Sequence, residues 1–454
     1  MNANAGVVFE QELKENFSFF NQSLFSSLAA GEHARSSLTA EQSQFTRMSR
    51  GCIRQNGFVE DAMVTVQFIS ATHSTTWISR PFVVDSKDRA VELVQNMLAE
   101  ARRQAGGAPQ DPYVSIPKHS SRSHVSHAGA VPSSSEIVEN LLSNLKKEDD
   151  LVGFYAGGKT ISALADSAGT DHWFSSDSFF VDYSLWLPNG RAIKSGYAGR
   201  EWNQSEFLRT LAAARKNLQI LERPVRTLKP GSHRVFLAPS ATSELLNMFS
   251  WGAVSEGALQ RNESPLCHVR RGEKSFSPLF SLRENYGLGF APRFSGDGEL
   301  APEELDIFKN GDFVQALCSE RTAREYGVSG NGSSSESLRT PEMGVGELAT
   351  DGALAALGTG LYLSDLHYLN WSDMIQGRVT GMTRYGCVWV ENGVPVGPIR
   401  DMRFDETIFR CFGSKLEAVT REAQIIPETS TYGKRAMGGA RVPGVLINQF
   451  EFTL

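Results

Sequence analysis

Five Asn-Gly pairs, at 56–57, 189–190, 310–311, 331–332 and 392–393, punctuate a chain of 454 residues. Asn and Gly both tolerate the positive φ that a two-residue hairpin turn requires, so repeated pairs point to antiparallel strands joined by tight turns. The hydrophobic pattern agrees. From Thr46 to Val84 the period is two, with Val64, Val66 and Phe68 on one side and Met63, Thr65, Gln67 and Ile69 on the other. Asn56-Gly57 is the hairpin signal just before that run. Phe179 to Trp186 alternates in the same way and is closed by Pro188-Asn189-Gly190.

Helices fall between these runs. Leu13, Phe17, Phe20 and Leu24 are spaced by three or four, which predicts an N-terminal helix. Lys87 to Arg102 places Val91, Val94, Met97, Leu98 and Ala101 on one face, with Asp88 in the first turn. Further helices are expected over Glu136 to Lys147 behind a Ser134 or Ser135 cap, over Ser205 to Leu221, and over Ala241 to Gly252 behind a Ser240 cap. Ala105 to Ser135 is rich in Gly, Pro and Ser without a period and reads as a linker. Ser329 to Glu336 reads as a mobile surface loop. The expected fold class is α+β, in five parts: an N-terminal helical segment 1–33, an α/β domain 34–104, the linker 105–135, a middle α/β domain 136–229, and a large, mostly antiparallel β-rich domain 230–454.

Composition narrows the setting. Hydrophobic residues make up 41% and charged residues 21%, enough for a large core without staples. The five cysteines, Cys52, Cys267, Cys318, Cys387 and Cys411, are scattered and form no CxxC pair, which suits a reducing compartment. The N-terminal stretch lacks a basic region followed by an apolar one, and no apolar run is long enough to span a bilayer. A net charge of -6 lacks the basic footprint of a nucleic-acid binder. The expected location is cytoplasmic, with neither nucleic acid nor membrane as partner.

The chemistry is defined first by what is missing. A zinc peptidase needs histidines on one helix and a glutamate beside the first. None of the nine histidines here is followed by glutamate, so neither HExxH nor HExxxH occurs. His119, His124 and His127 are close enough in sequence to bind a divalent ion, but the surrounding KHSSRSHVSHAG reads better as a solvated polar stretch. No GxSxG elbow occurs, and Gly252 to Gly257 has the wrong spacing for one. Cys267-His268 reads as a small hydrophobe beside a surface histidine, and Cys387 as a core filler in a strand from Tyr385 to Val390. Gly327 to Gly332 lacks the Lys-Ser/Thr of a phosphate loop, whereas Gly358-Thr359-Gly360 reads as a tight lead into the buried Leu361-Tyr362-Leu363. No catalytic residue and no metal ligand is assigned.

Several strings nevertheless occur in a specific order. They are Arg50-Gly51-Cys52-Ile53-Arg54-Gln55, Phe308-Lys309-Asn310-Gly311, Arg321 to Gly327 (RTAREYG), Gly358 to Leu363 (GTGLYL), Gly377 to Arg384 (GRVTGMTR) and Val388 to Gly393 (VWVENG). Together they resemble the TldD/TldE family, whose TldE branch is also called PmbA. The resemblance implies a TldD/PmbA-like architecture from about residue 34 onward. In that family a TldD-like subunit carries HExxxH and a C-terminal cysteine as zinc ligands, pairs with a TldE-like subunit lacking them, and degrades or trims unfolded peptides. The corresponding helix here, Glu244 to Gly252, contains no histidine, and Ile425 to Pro443 contains no cysteine. The resemblance therefore implies a TldE/PmbA-like, non-catalytic subunit with no cofactor of its own. Zinc is expected in a TldD-like partner, and the partner is that subunit or a second copy of this chain. The alternatives are a metal-independent hydrolase and a homo-oligomeric peptide-binding protein. Gly377, Arg378, Thr380, Gly381 and Arg384 are the residues expected to contact partner or peptide, against the plainer role of a structural hairpin.

Overall fold

The computed structural model describes residues 3–146 and 148–453. Its first sheet has seven strands: β1 (His33–Ser49), β2 (Cys52–Ile69), β3 (Thr75–Pro81), β4 (Arg122–His127), β5 (Asp150–Asp166), β6 (Asp171–Trp186) and β7 (Ala192–Gly199). Their order is β3-β2-β1-β5-β6-β4, with β7 sharing the outer edge of β6 with β4. Helices α1 (Ala3–Ser26) and α2 (Lys87–Ala105) bury Phe17, Phe20, Leu24, Val94 and Leu98 against Leu38, Val64, Val66 and Phe68 of the sheet. Two further helices, α3 (Ser134–Leu142) and α4 (Gln204–Ile220), carry Ile137, Leu141, Phe207 and Leu211 onto its other half.

The register of the β1–β2 ladder explains why Asn56-Gly57 is not the turn. Ala34, Leu38, Val64 and Phe68 must share the buried face, which pairs Ala34 with Phe68 and Leu38 with Val64. That fixes the turn at Arg50-Gly51, with φ of 53° and 64°, and leaves Asn56 opposite Thr46 inside the ladder. Asn331-Gly332 is not a hairpin either. The Asn331 side chain is spent on the backbone N–H of Cys318 and the Ala316 carbonyl, at 2.9 and 2.8 Å. The other three pairs sit at hairpin turns between adjacent strands as expected.

The stretch read as a linker holds β4, which adds in parallel to β6, so strands from segments 34–104 and 136–229 lie in one sheet. Its polar alternation gave no buried face to detect. The cap of α3 lies one residue earlier than expected: Ser133 and Glu136 form a capping box, and the expected last residue, Lys147, lies outside the described residues. The expected mobile loop at Ser329–Glu336 is pinned, because the buried Glu336 carboxylate accepts from the Ser319 and Gly257 N–H groups at 2.9 and 3.0 Å.

The second sheet has thirteen strands, all between Gly231 and Phe452. β8 (Gly231–Leu237) leads through α5 (Pro239–Asn247), α6 (Glu256–Gln260) and α7 (Cys267–Arg270) to β9 (Leu282–Asn285). Next come β10 (Glu304–Lys309), β11 (Asp312–Phe313), α8 (Glu320–Tyr326), β12 (Pro341–Met343), α9 (Ala353–Leu357), β13 (Gly360–Leu363) and β14 (Asp365–Asp373). The last strands are β15 (Arg378–Arg384), β16 (Val388–Glu391), β17 (Val394–Pro398), β18 (Arg403–Thr407), β19 (Leu416–Pro427) and β20 (Gly439–Phe452). β20 is the hub, pairing with β8, β12, β18 and β19. Antiparallel pairs dominate, so the class is α+β. An aromatic core of Phe249, Phe276, Phe280, Phe308 and Phe412 fills this half.

One apolar cluster belongs to both halves, joining Tyr155, Phe179 and Phe207 to Phe236, Val388 and Leu446. Polar contacts reinforce it. The buried Arg435 guanidinium donates to the carbonyls of Ser178 and Gly158 at 2.7 and 2.9 Å.

Candidate functional site

Beside that shared core lies a cleft of about 1010 Å³, walled by β6, β7 and α4 on one side and by α5 and the end of β19 on the other. Local sequence sets its floor. The buried run Val235 to Leu237 ends β8, and Pro239 occupies the first position of α5, where its missing N–H costs nothing. Ala241, Thr242, Leu245 and Leu246 face the interior. That leaves Ser240, Ser243, Glu244 and Asn247, spaced 3-1-3, as a polar face in the cleft. The expected Ser240 cap is not used. The cap position is Ala238, without a side-chain bond, and Ser240 Oγ donates instead to Asp365 Oδ1 at 2.8 Å. The α-helix also stops at Asn247, with a short 3-10 turn from Met248 to Ser250 in place of its expected last turn.

Four charged side chains converge here from β6, β7, α5 and the start of β14. Lys194 Nζ stands 3.6 Å from Asp182 Oδ2. Burial disfavours the Lys194 ammonium, but the carboxylates of Asp182 and Asp365 outweigh it and raise its pKa. Burial raises the Glu244 carboxyl, with Asp365 and Glu428 adding to the rise and Lys194 opposing it. Asp365 is raised by its burial against the hydrogen bonds of Ser240 and Ser364. Beneath them Tyr362, stacked on Phe236 with centroids 5.8 Å apart, is held by burial at about 12. The arrangement offers a mixed, mostly acidic set of donors and acceptors on a floor that is otherwise small and polar.

The cleft also borders two strand edges. Among the described residues β7 pairs with β6 alone, and residues 423–427 of β19 pair on one side only, with β20. Residues 419–421 are covered by the segment 346–348, so the open edge begins beyond them. Such edges carry unpaired N–H and C=O groups that an extended chain can meet.

A zinc ion does not fit this donor set. The polar face of α5 has two hydroxyls, one carboxylate and one amide, with neither imidazole nor thiolate. Asp182, Glu244 and Asp365 share the cleft, but among the described residues no three His, Cys, Asp or Glu side chains are placed to hold one metal ion. The histidine group is dispersed by its own strand: His124 and His127 are three apart on β4 and point to opposite faces. His124 Nε2 meets Asp171 at 3.0 Å, while His127 packs beside Phe174. Cys267 is buried, and its neighbour His268 is engaged by Glu273 at 2.5 Å.

The five residues expected to make contacts lie elsewhere. Gly377, with φ of 62°, closes the turn between β14 and β15, and the other four lie on β15, between β14 and β18. None of them lines the cleft. Thr380 Oγ1 donates to the Phe404 carbonyl at 3.0 Å, Arg378 reaches Asp405 at 3.7 Å, and Arg384 stands over the Tyr385 ring at 5.1 Å. Side chains added at Gly377 and Gly381 would meet Phe409 at 2.9 Å and Phe404 at 2.6 Å. Sequence reasoning missed Asp182, Lys194, Glu244 and Asp365, which share no motif. The one available signal was the polar spacing of Ser240, Ser243, Glu244 and Asn247.

Residues 230–454 match the PmbA/TldA metallopeptidase C-terminal domain. No curated protein sequence matches the chain. Three solved structures share its fold along nearly the whole length. A candidate modulator of a DNA gyrase from Thermotoga maritima has a TM-score of 0.75 at 17% identity, covering 96% of this chain and 100% of that one. TldE from Thermococcus kodakarensis gives 0.73 at 14% identity, covering 98% and 99%. A candidate modulator of DNA gyrase from Bacteroides thetaiotaomicron gives 0.76 at 14% identity, covering 97% and 99%. With the matched domain spanning the whole second sheet, the chain belongs to the TldD/TldE (PmbA) family.

Proposed function

We propose that the chain is a TldE/PmbA-like, non-catalytic subunit that holds an unfolded peptide in extended form for a zinc-bearing, TldD-like partner. One observation carries the reading: the cleft brings a strand edge from each sheet beside a helix whose exposed face is Ser240, Ser243, Glu244 and Asn247. A peptide added to residues 423–427 or to β7 gains main-chain hydrogen bonds whatever its sequence, which suits an unfolded substrate. The carboxylates of Glu244 and Asp365 and the Lys194 ammonium then meet its polar groups from the floor. In this reading the peptide bond is cut by the partner. Five unpaired thiols, four of them buried, support a cytoplasmic setting.

The test is to assay cleavage of an unfolded reporter peptide by the pure chain, by an HExxxH-bearing family member, and by the two mixed. The proposal expects activity only when the HExxxH protein is present, increased by adding this chain and lost with chelator. Cleavage by this chain alone, or stoichiometric tightly bound zinc in it, would refute the reading.

A further inference from the structure

The sheet edge farthest from the cleft is open. β3 covers β2 only from Met63 to Ile69 and Phe82 caps Ala62, so residues 52–61 face solvent on the side away from β1. Every residue from Cys52 to Asp61 is exposed, among them Ile53 at 44%, Phe58 at 54% and Val59 at 37%. Natural sheets blunt such an edge with Lys, Pro or a covering loop. Here the stretch contains no Lys and no Pro, and its one irregularity is a register shift at its start, beside Arg54. From Gln55 to Ala62 the strand is regular, and β2 is long enough to pair again.

The direction of its hydrogen-bonding groups is fixed. Phe82 N donates to Ala62 O on the outer side at 2.7 Å, so Ala62, Glu60, Phe58 and Asn56 turn their backbone groups outward. The charges along the edge are polarised. Arg50 and Arg54 lie at one end and Glu60 and Asp61 at the other, with the uncharged Gln55 to Val59 between. Parallel pairing of two such edges would set like charges together. Antiparallel pairing about a two-fold axis at Gly57 sets Arg54 of each copy beside Glu60 and Asp61 of the other, and Asn56 opposite Phe58. Gly57 has nothing within 4 Å of where a side chain would stand, so the axis is unobstructed.

We infer that two copies of this chain associate through antiparallel β2–β2 pairing centred on Gly57 and spanning residues 55–59, joining their seven-stranded sheets into one. Asn56 and Phe58 of each copy exchange about four backbone hydrogen bonds across the axis. Because β7 and the cleft lie at the opposite end of the sheet, the pairing leaves them open. The inference does not depend on what the cleft binds.

Sedimentation velocity across a concentration series tests it. The wild-type chain is expected to move from 49.8 kDa toward twice that mass as concentration rises. Arg54→Glu alone, and Glu60→Arg with Asp61→Arg, should each weaken association at least about tenfold by setting like charges together. The three changes combined should restore it, since the charges are again complementary. Phe58→Pro, which removes an outward N–H that β1 does not use, should leave a folded monomer by circular dichroism. A wild-type monomer throughout, a dimer indifferent to both reversals, or no recovery in the combined variant overturns the inference.

Discussion

Ser240 Oγ donates a 2.8 Å hydrogen bond to Asp365 Oδ1, tying the first turn of α5 to the start of β14 across the floor of the cleft. Asp365 is 7% exposed, and burial holds its carboxyl above the ordinary range despite this bond and that of Ser364. A carboxyl with a raised folded pKa favours the fold most below its unfolded pKa and loses that contribution as pH rises through the folded value. Asp365→Asn should therefore flatten the fall in stability toward alkaline pH, while Ser240→Ala should steepen it and cost about 1–3 kcal/mol at pH 7. Urea midpoints from acid to alkaline pH check both.

A second carboxyl behaves in the same sense between the two sheets. Glu299 lines a cleft of about 910 Å³ with Arg35 and Glu320. Burial and its hydrogen bond to Glu320 push it up to about 7. Its contribution to stability is complete below its unfolded value and is lost as pH rises through about 7. Glu299→Gln should remove that part of the decline between about pH 5 and 7, read from melting temperature against pH. An unchanged slope would show that Glu299 does not hold the proton.

Gly377 and Gly381 separate a structural hairpin from a contact surface. Gly377 has φ of 62°, and at each position a methyl group would meet a phenyl ring within 3 Å. Gly377→Ala and Gly381→Ala should each cost about 1–3 kcal/mol in denaturant melts. Peptide affinity at a temperature where both variants remain folded should be unchanged, because neither residue lines the cleft.

Arg435 anchors the β19–β20 connection to the first sheet. Its removal leaves the carbonyls of Ser178 and Gly158 without their donor in a buried place. Arg435→Ala is expected to cost about 2–4 kcal/mol and to speed proteolysis between β19 and β20. A variant as stable and as resistant as the wild type would remove this anchor from the description of how the sheets dock.

Much of the fold was legible because local rules and burial agree. Val64, Val66 and Phe68 announce a strand, and Leu13, Phe17, Phe20 and Leu24 a helix, because each set is buried on one side. The turn at Arg50-Gly51 was missed because register along the whole β1–β2 ladder overrides the local preference of Asn56-Gly57. β4 was missed because its residues alternate between exposed and half-buried and present no apolar stripe. The cleft could not be read from motifs. Asp182 and Lys194 come from neighbouring strands of one sheet, Glu244 from a helix on the other, and Asp365 from far along the chain, and only tertiary docking brings them together.

The most direct test of the cleft as a peptide site is fluorescence anisotropy of a labelled unfolded peptide, titrated with wild-type chain and with Asn247→Trp, whose indole would fill the cleft floor. Saturable binding by the wild type and at least about tenfold weaker binding by the variant are expected. The β2-edge variant Phe58→Pro should bind like the wild type. Equal affinity of Asn247→Trp and wild type would contradict the account.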